Sequence, residues 1–304
     1  MSNSMTQTAD AVSESMAPRA TVPMIRDLIE LAKPRITMLA TFTAGVGLWM
    51  APGSLGPLRT AVFLLAATAL IASANTLNCW VEREIDGRMQ RTRKRPLPAG
   101  RLNPRIALAA GVLEAIAALG LLAATTNPLT VGLGAAALVI YVGVYTPLKR
   151  VSWWAVVVGA VPGAIPPMMG WTAGTGTLSA AGWTLFGILF FWQLPHFIAI
   201  SLYLKDDYQR GGLKVLPLVR GDVIARRHLF AYTILLVLVS LIASPLGMAG
   251  PTYFVTASLL GAGFLYLAAG GLRRTVGARW ARHTFAYSIV YLSVLIGVLV
   301  LDAL

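Results

Sequence analysis

The chain has 304 residues, 57% of them hydrophobic and only 12% charged, with a mean hydropathy of +0.70. Soluble domains carry about 25% charged residues, so the composition excludes a soluble globular protein and points to an all-α, polytopic membrane protein. The formal net charge of +13 would suit nucleic acid, but its distribution along the chain argues for a lipid bilayer instead.

Residues 1–21 are rich in Ser, Thr, Ala and Met and carry Asp10 and Glu14. They lack the continuous apolar run of a signal peptide and are expected to form a flexible cytoplasmic tail. Residues 22–33 have an amphipathic pattern suited to the membrane surface. Scanning for runs of about 20 apolar residues then predicts nine transmembrane helices within a single domain, 22–304. They fall at roughly 36–52, 58–79, 105–124, 130–147, 153–172, 181–203, 229–247, 252–271 and 284–302. With these spans, 24 of the 25 Lys and Arg residues lie on one side, and Arg59 alone lies on the other. The positive-inside rule therefore places the N-terminus in the cytoplasm and the C-terminus in the periplasm, with a bacterial inner membrane as the expected location. The single cysteine, Cys79, excludes an intrachain disulfide.

The external loops are short, whereas two cytoplasmic loops, about 80–104 and 204–228, are long and mix acids with bases. Function tends to sit on such loops. An apolar helix, polar residues near its cytoplasmic end and then a basic loop occur at the second span and again at the sixth, which reads as an internal echo. The fifth span, 153–172, is unusual in that the stretch from Gly159 to Gly176 holds Pro162, Pro166 and Pro167. It is expected to be kinked or broken and to line a cavity.

Asn78, Glu82 and Asp86 stand four residues apart, which puts them on one helix face. Carboxylates at membrane depth are costly and mark function. Two acids and an amide suit a hard cation such as Mg²⁺, which binds through one or two carboxylates plus substrate phosphates. Arg91 and Arg95, followed by Lys149 and Arg150 beside Tyr145, are candidate phosphate ligands. Gln193 and His196 lie inside a strongly apolar helix, and His is both a common haem ligand and a base. Asp207, after the sixth span, is a candidate for a second metal or phosphate position facing Asp86. Spacing alone also allows solvated acids at a helix end, and broken helices also suit a secondary transporter. The acids, however, cluster at one membrane face, as expected of a one-sided enzyme.

Together these residues resemble the UbiA-type intramembrane prenyltransferase superfamily, a nine-helix bundle with two acidic motifs at its cytoplasmic side. The pattern Asn78-x-x-x-Glu82-x-x-x-Asp86, followed by Met89, Arg91-Thr92 and Arg95-Pro96, is similar to the haem-farnesylating branch of that family. Tyr145-Thr146 with Lys149-Arg150, Pro166-Pro167 with Gly170-Trp171, Trp192-Gln193 with Pro195-His196-Phe197, and Asp207-Tyr208 also match. Cys79 stands where the commoner family motif has an acid. The resemblance implies that farnesyl diphosphate alkylates a vinyl group of haem b, with water completing the new side chain and diphosphate leaving. It further implies catalytic roles for Asn78, Glu82, Asp86 and His196, and Mg²⁺ on Glu82, Asp86 and Asp207. Substrate would be bound by Arg91, Arg95, Tyr145, Lys149, Arg150, Gln193 and Asp207, and a haem A synthase would be a partner. The alternatives are a sister enzyme acting on a quinone precursor, the transporter, and a non-catalytic assembly factor that would not need the acidic stripe.

Overall fold

The computed structural model describes residues 21–53, 55–273 and 276–302, and among them only helices and turns occur. All but the last residue of the tail expected at 1–21 lies outside the described residues. The chain first forms α1 (Thr21–Leu31), an amphipathic helix that does not cross the membrane. Its Ile25 and Ile29 are exposed, while the opposite face buries Asp27 and Leu31. Arg101 from the first cytoplasmic loop pairs with both Asp27 (3.0 Å) and Glu30 (2.8 Å) and so clamps α1 onto that loop.

The long helices are α2 (Pro34–Trp49), α3 (Pro57–Asp86), α4 (Pro104–Thr125), α5 (Pro128–Leu148), α6 (Ala155–Thr175), α7 (Ala180–Tyr203), α10 (Asp222–Ile242), α11 (Pro251–Gly270) and α12 (Ala278–Asp302). The short helices α8 (Lys205–Arg210) and α9 (Leu216–Arg220) lie between α7 and α10. Eight of the described helices are long and apolar enough to cross a bilayer. The remaining expected span, 36–52, corresponds to α2, whose 16 residues reach about 24 Å at 1.5 Å per residue. Local chemistry fixes many of the starts. Pro at the first helical position needs no N–H partner, and Asn103, Asn127 and Ser179 accept hydrogen bonds from the first-turn amides of α4, α5 and α7. α10 begins seven residues before the predicted span, because Arg226 and Arg227 continue the helix although a hydropathy scan rejects them.

α3, α4, α5, α6, α7, α10, α11 and α12 pack in sequence, α2 lies against both α3 and α6, and α12 returns to α7. α6 is the axis, with 72% of its apolar window buried against 17–56% for the other spanning helices. It stays continuous through Pro162, Pro166 and Pro167, which corrects the expected break. Each proline removes one ladder hydrogen bond, and burial within a helical bundle makes that tolerable. α2 and α6 approach backbone to backbone, since a Cβ at Gly170 would overlap the Ala44 carbonyl and one at Gly47 would overlap Pro167. Two apolar cores flank this axis. One joins Phe63, Leu70, Leu122, Ile165 and Met169, and the other joins Leu189, Leu236, Phe264, Tyr291 and Leu295.

Candidate active site

α3 runs unbroken for 30 residues, so Asn78, Glu82 and Asp86 ride on one helix rather than on a frayed end. All three are buried. They face a cavity of about 330 Å³ framed by α2, α3, α5, α6 and α7 and by the segments that follow α3 and α7. From Ala67 through Ile71, Ala74, Asn78 and Glu82 to Asp86, the cavity-facing stripe of α3 covers roughly 28 Å of helix. The end at Glu82 and Asp86 is ionic. The deep end is lined by Leu70, Gly134, Leu138, Pro166 and Met169.

The head is a bonded network. Lys33 Nζ donates to Asn78 Oδ1 (2.8 Å), and Asn78 Nδ2 donates to Glu82 Oε2 (3.0 Å) and Thr146 Oγ1 (3.0 Å). Glu82 Oε1 pairs with Lys149, and Asp86 Oδ2 pairs with Arg95 Nη1 at 2.8 Å. Lys33, Arg91, Arg95 and Lys149 all line the cavity, so four cations converge where two carboxylates stand. Burial opposes the charge of Arg95, but Asp86 outweighs it and holds the guanidinium above its ordinary range. Burial likewise opposes Lys149, and its Tyr145 and Glu82 neighbours more than restore the charge. For Lys33 burial wins, and its pKa lies below that of an ordinary lysine. Lys33 is also the only described non-glycine residue with positive φ (49°), a strained conformation of the kind stored at functional sites.

Below the ionic head, α5 contains a π-helical segment, Ile140–Tyr145. Pro147 has no N–H to give to the carbonyl of residue 143, which favours a local change of ladder. The wider turn carries Tyr141 and Tyr145 to the cavity. Tyr141 donates to Asn75 Oδ1 (3.4 Å), and Tyr145 lies against Gly159, where a Cβ would overlap its ring. Gln193 donates to the carbonyls of Ala160 and Leu189 and rests against Gly163, which leaves no room for a larger residue there.

Asn78, Glu82, Asp86, Arg91, Arg95, Tyr145, Lys149 and Gln193 therefore line one cavity, as the sequence reading expects. Three of the expected residues do not. Arg150 is exposed and reaches only the Val81 carbonyl at 3.3 Å. His196 turns to α12, where Nδ1 lies 2.7 Å from Ser288 Oγ and the ring stacks on Trp192. Three residues apart, Gln193 and His196 stand about 60° apart around α7, and His196 falls on the edge that meets α12. Asp207 spends Oδ1 on the Gln90 amide (2.8 Å) and on Arg210 (2.9 Å). Burial raises its pKa, but Arg210 and the amides of Gln90 and Arg91 outweigh that and leave it low. Asp207 thus ties the loop that carries Arg91 to α8 and does not line the cavity that Asp86 faces. Among the described residues no group of three or more His, Cys, Asp or Glu side chains is assembled to hold a metal. The pair Glu82 and Asp86 does fit a hard cation that completes its shell with substrate phosphate oxygens.

The sequence reading missed Lys33, Asn75 and Tyr141. Lys33 had a visible signal, a lysine just before the first span and directly ahead of a proline. Tyr141 had none, because it depends on the π turn.

A buried ionic head above an apolar shaft, inside a helical membrane bundle, defines an intramembrane site for an amphiphile with an anionic head. Residues 38–290 match the UbiA prenyltransferase family, and the chain belongs to that family. It is 50% identical over 293 residues to the protoheme IX farnesyltransferase of Anaeromyxobacter sp. (strain Fw109-5), covering 96% of this chain and 99% of that protein. It is 47% identical to the protoheme IX farnesyltransferase of Myxococcus xanthus (strain DK1622), covering 91% and 94%. The fold is similar to that of a digeranylgeranylglyceryl phosphate synthase, with TM-score 0.79, 16% identity and coverage of 92% and 98%. It is also similar to that of a UbiA homolog from Archaeoglobus fulgidus bound to DMAPP and Mg²⁺, with TM-score 0.64, 18% identity and coverage of 88% and 99%.

Proposed function

We propose that this protein transfers the farnesyl group of farnesyl diphosphate to a vinyl group of haem b, with addition of water, giving haem O and diphosphate. The observation that carries the reading is the polarity of the cavity, with four cations and two carboxylates at its cytoplasmic end and an apolar shaft beneath. The relatives of near-equal length supply the acceptor. The reaction begins with heterolysis of the C1–O bond, and the electron pair leaves with the diphosphate. Arg91, Arg95, Lys33 and Lys149 stabilise the charge that develops there. Mg²⁺ held by Glu82 and Asp86 would add Lewis-acid neutralisation of the leaving group. Asn78 orients Glu82 and shares it with Lys149. The shaft holds the prenyl chain and keeps bulk water from the allylic cation. The π electrons of the vinyl group form the new C–C bond at C1, water closes the cation left beside the macrocycle, and its surplus proton is released.

The site opens towards the basic side of the bundle, which supports a cytoplasmic active site in a bacterial inner membrane, with the N-terminus inside and the C-terminus in the periplasm. A haem A synthase, which consumes the product, is the protein partner this reading implies. Purified protein in lipid, given haem b, farnesyl diphosphate and Mg²⁺, is expected to yield a hydroxyethylfarnesyl haem by mass spectrometry and none with excess chelator. Unmodified haem from demonstrably folded protein would overturn the acceptor assignment, and turnover undiminished by chelator would overturn the metal.

A further inference from the structure

A second cleft adjoins the catalytic cavity. It lies between the start of α6, the cytoplasmic end of α7 and the segment 213–216, and it shares Tyr145, Lys149, Gly159 and Phe197 with the main cavity. Tyr145, braced on Gly159, is the partition between the two. The cleft itself is small, about 80 Å³, but Trp153 and Lys214 continue it into an open cytoplasmic basin of about 780 Å³. Trp153 stacks on the exposed Trp154 with ring centroids 4.4 Å apart. Phe197 and Tyr208 face it from the other elements. No Asp or Glu lines the cleft or the basin. Lys214 and Arg220 are exposed, with no carboxylate within 4 Å among the described residues. The Lys214 amide donates to the Lys149 carbonyl (2.8 Å), which fixes the two lysines side by side.

Resting on the reading above, we propose that the acceptor binds here, as a flat tetrapyrrole with anionic carboxylates. The apolar vinyl edge passes between Tyr145 and Phe197 towards the head of the main cavity. The macrocycle lies against Trp153, and its carboxylates face Lys214 and Arg220. Three observations favour this occupant. The main cavity, deep and narrow along α3, suits one prenyl diphosphate and leaves the acceptor to be housed elsewhere. The second cleft meets it at the ionic end, where the reactive C1 of the prenyl group must lie. Tyr145, Trp153, Phe197 and Tyr208 stand in otherwise mostly aliphatic walls and the charged residues of the rim are all cationic, which complements a planar dicarboxylate.

The test is a pair of binding titrations on the full-length protein in nanodiscs, with haem b followed by its Soret band and radiolabelled farnesyl diphosphate followed by retention. Ser201→Trp, which fills the cleft, and Lys214→Glu, which reverses its rim, are each expected to weaken haem b at least about tenfold. Diphosphate binding, which also reports folding, stays within about twofold, and Lys214→Arg restores haem affinity. Normal haem affinity in both variants, with wild-type protein that farnesylates haem, would overturn the cleft and leave the function standing. A wild-type protein that retains farnesyl diphosphate but neither binds nor modifies haem b would overturn the acceptor reading and this proposal with it.

Discussion

The C-terminal ends of α3 and α7 look alike in sequence and diverge in space. Each is an apolar helix with an embedded polar residue, acids at its end and a basic loop beyond. On α3 the acids point inwards, so Asn78, Glu82 and Asp86 join the cavity network. Of the polar residues at the end of α7 only Gln193 reaches the cavity, while His196 is taken up by Ser288 on α12 and Asp207, in α8, by the Gln90 amide. The difference shows that a polar residue at membrane depth must find a partner, but that the partner can be structural as readily as catalytic. Burying a carboxylate unpaired is prohibitive, and both helix ends meet that demand with different groups. α3 pairs its acids with the side-chain cations Arg95 and Lys149, which also line the cavity. α8 pairs Asp207 partly with a backbone amide that cannot be exchanged.

The comparison breaks most sharply at Asp86. Asp86→Asn is expected to lower kcat about 10²–10³-fold, the scale of losing one preorganised electrostatic contact at a charge-developing centre. Far-UV circular dichroism and thermal stability would report an intact fold, and single-turnover chemistry at saturating substrate is the measurement.

Lys33→Met should come next. Losing a hydrogen bond to a charged group costs about 1.5–3 kcal/mol, or roughly 10- to 100-fold in the Kd of farnesyl diphosphate. The same residue sets a pH dependence. Its pKa lies below that of an ordinary lysine, chiefly through burial, so its charge is lost at a lower pH. Diphosphate affinity should therefore fall as the pH rises through that depressed pKa, and Lys33→Met should flatten that limb of the profile.

Asp207→Asn probes the other helix end. It loosens the loop that carries Arg91 and should raise KM for farnesyl diphosphate about tenfold, as expected for about 1.4 kcal/mol, with kcat nearly unchanged. A loss in kcat comparable to that of Asp86→Asn would instead make Asp207 a direct ligand. His196→Asn should have the smallest effect on turnover, within a few-fold, and should act through stability by loosening the contact with Ser288. A collapse of kcat with an unaltered melting temperature would return His196 to the site.

Much of this architecture was legible beforehand, because hydropathy and charge asymmetry act over whole helices and leave long signals. The four-residue spacing of Asn78, Glu82 and Asp86 also survives directly, since one continuous helix preserves it. Lys149 and Arg95 were identifiable as cations but not as the partners of Glu82 and Asp86. His196 misled because its sequence environment, apolar on both sides, is the same whether it faces a cavity or a neighbouring helix. The length of α3, the early start of α10 and the continuity of α6 through three prolines lay beyond a hydropathy scan, which does not weigh helix propensity or burial between neighbours.

The sequence by itself determined that the chain is a helical membrane protein, which side its bases face, and which single helix carries an acidic stripe. These depend on the transfer of side chains between water and lipid and on the 3.6-residue period, both local in the chain. Only the tertiary structure decided that Lys33, from before the first span, reaches Asn78, that a π turn delivers Tyr141 and Tyr145, and that His196 meets Ser288 while Asp207 meets the Gln90 amide. Those outcomes depend on which helix faces lie together, and that is settled by close approach at positions such as Gly47, Gly159 and Gly170, over separations no local pattern encodes.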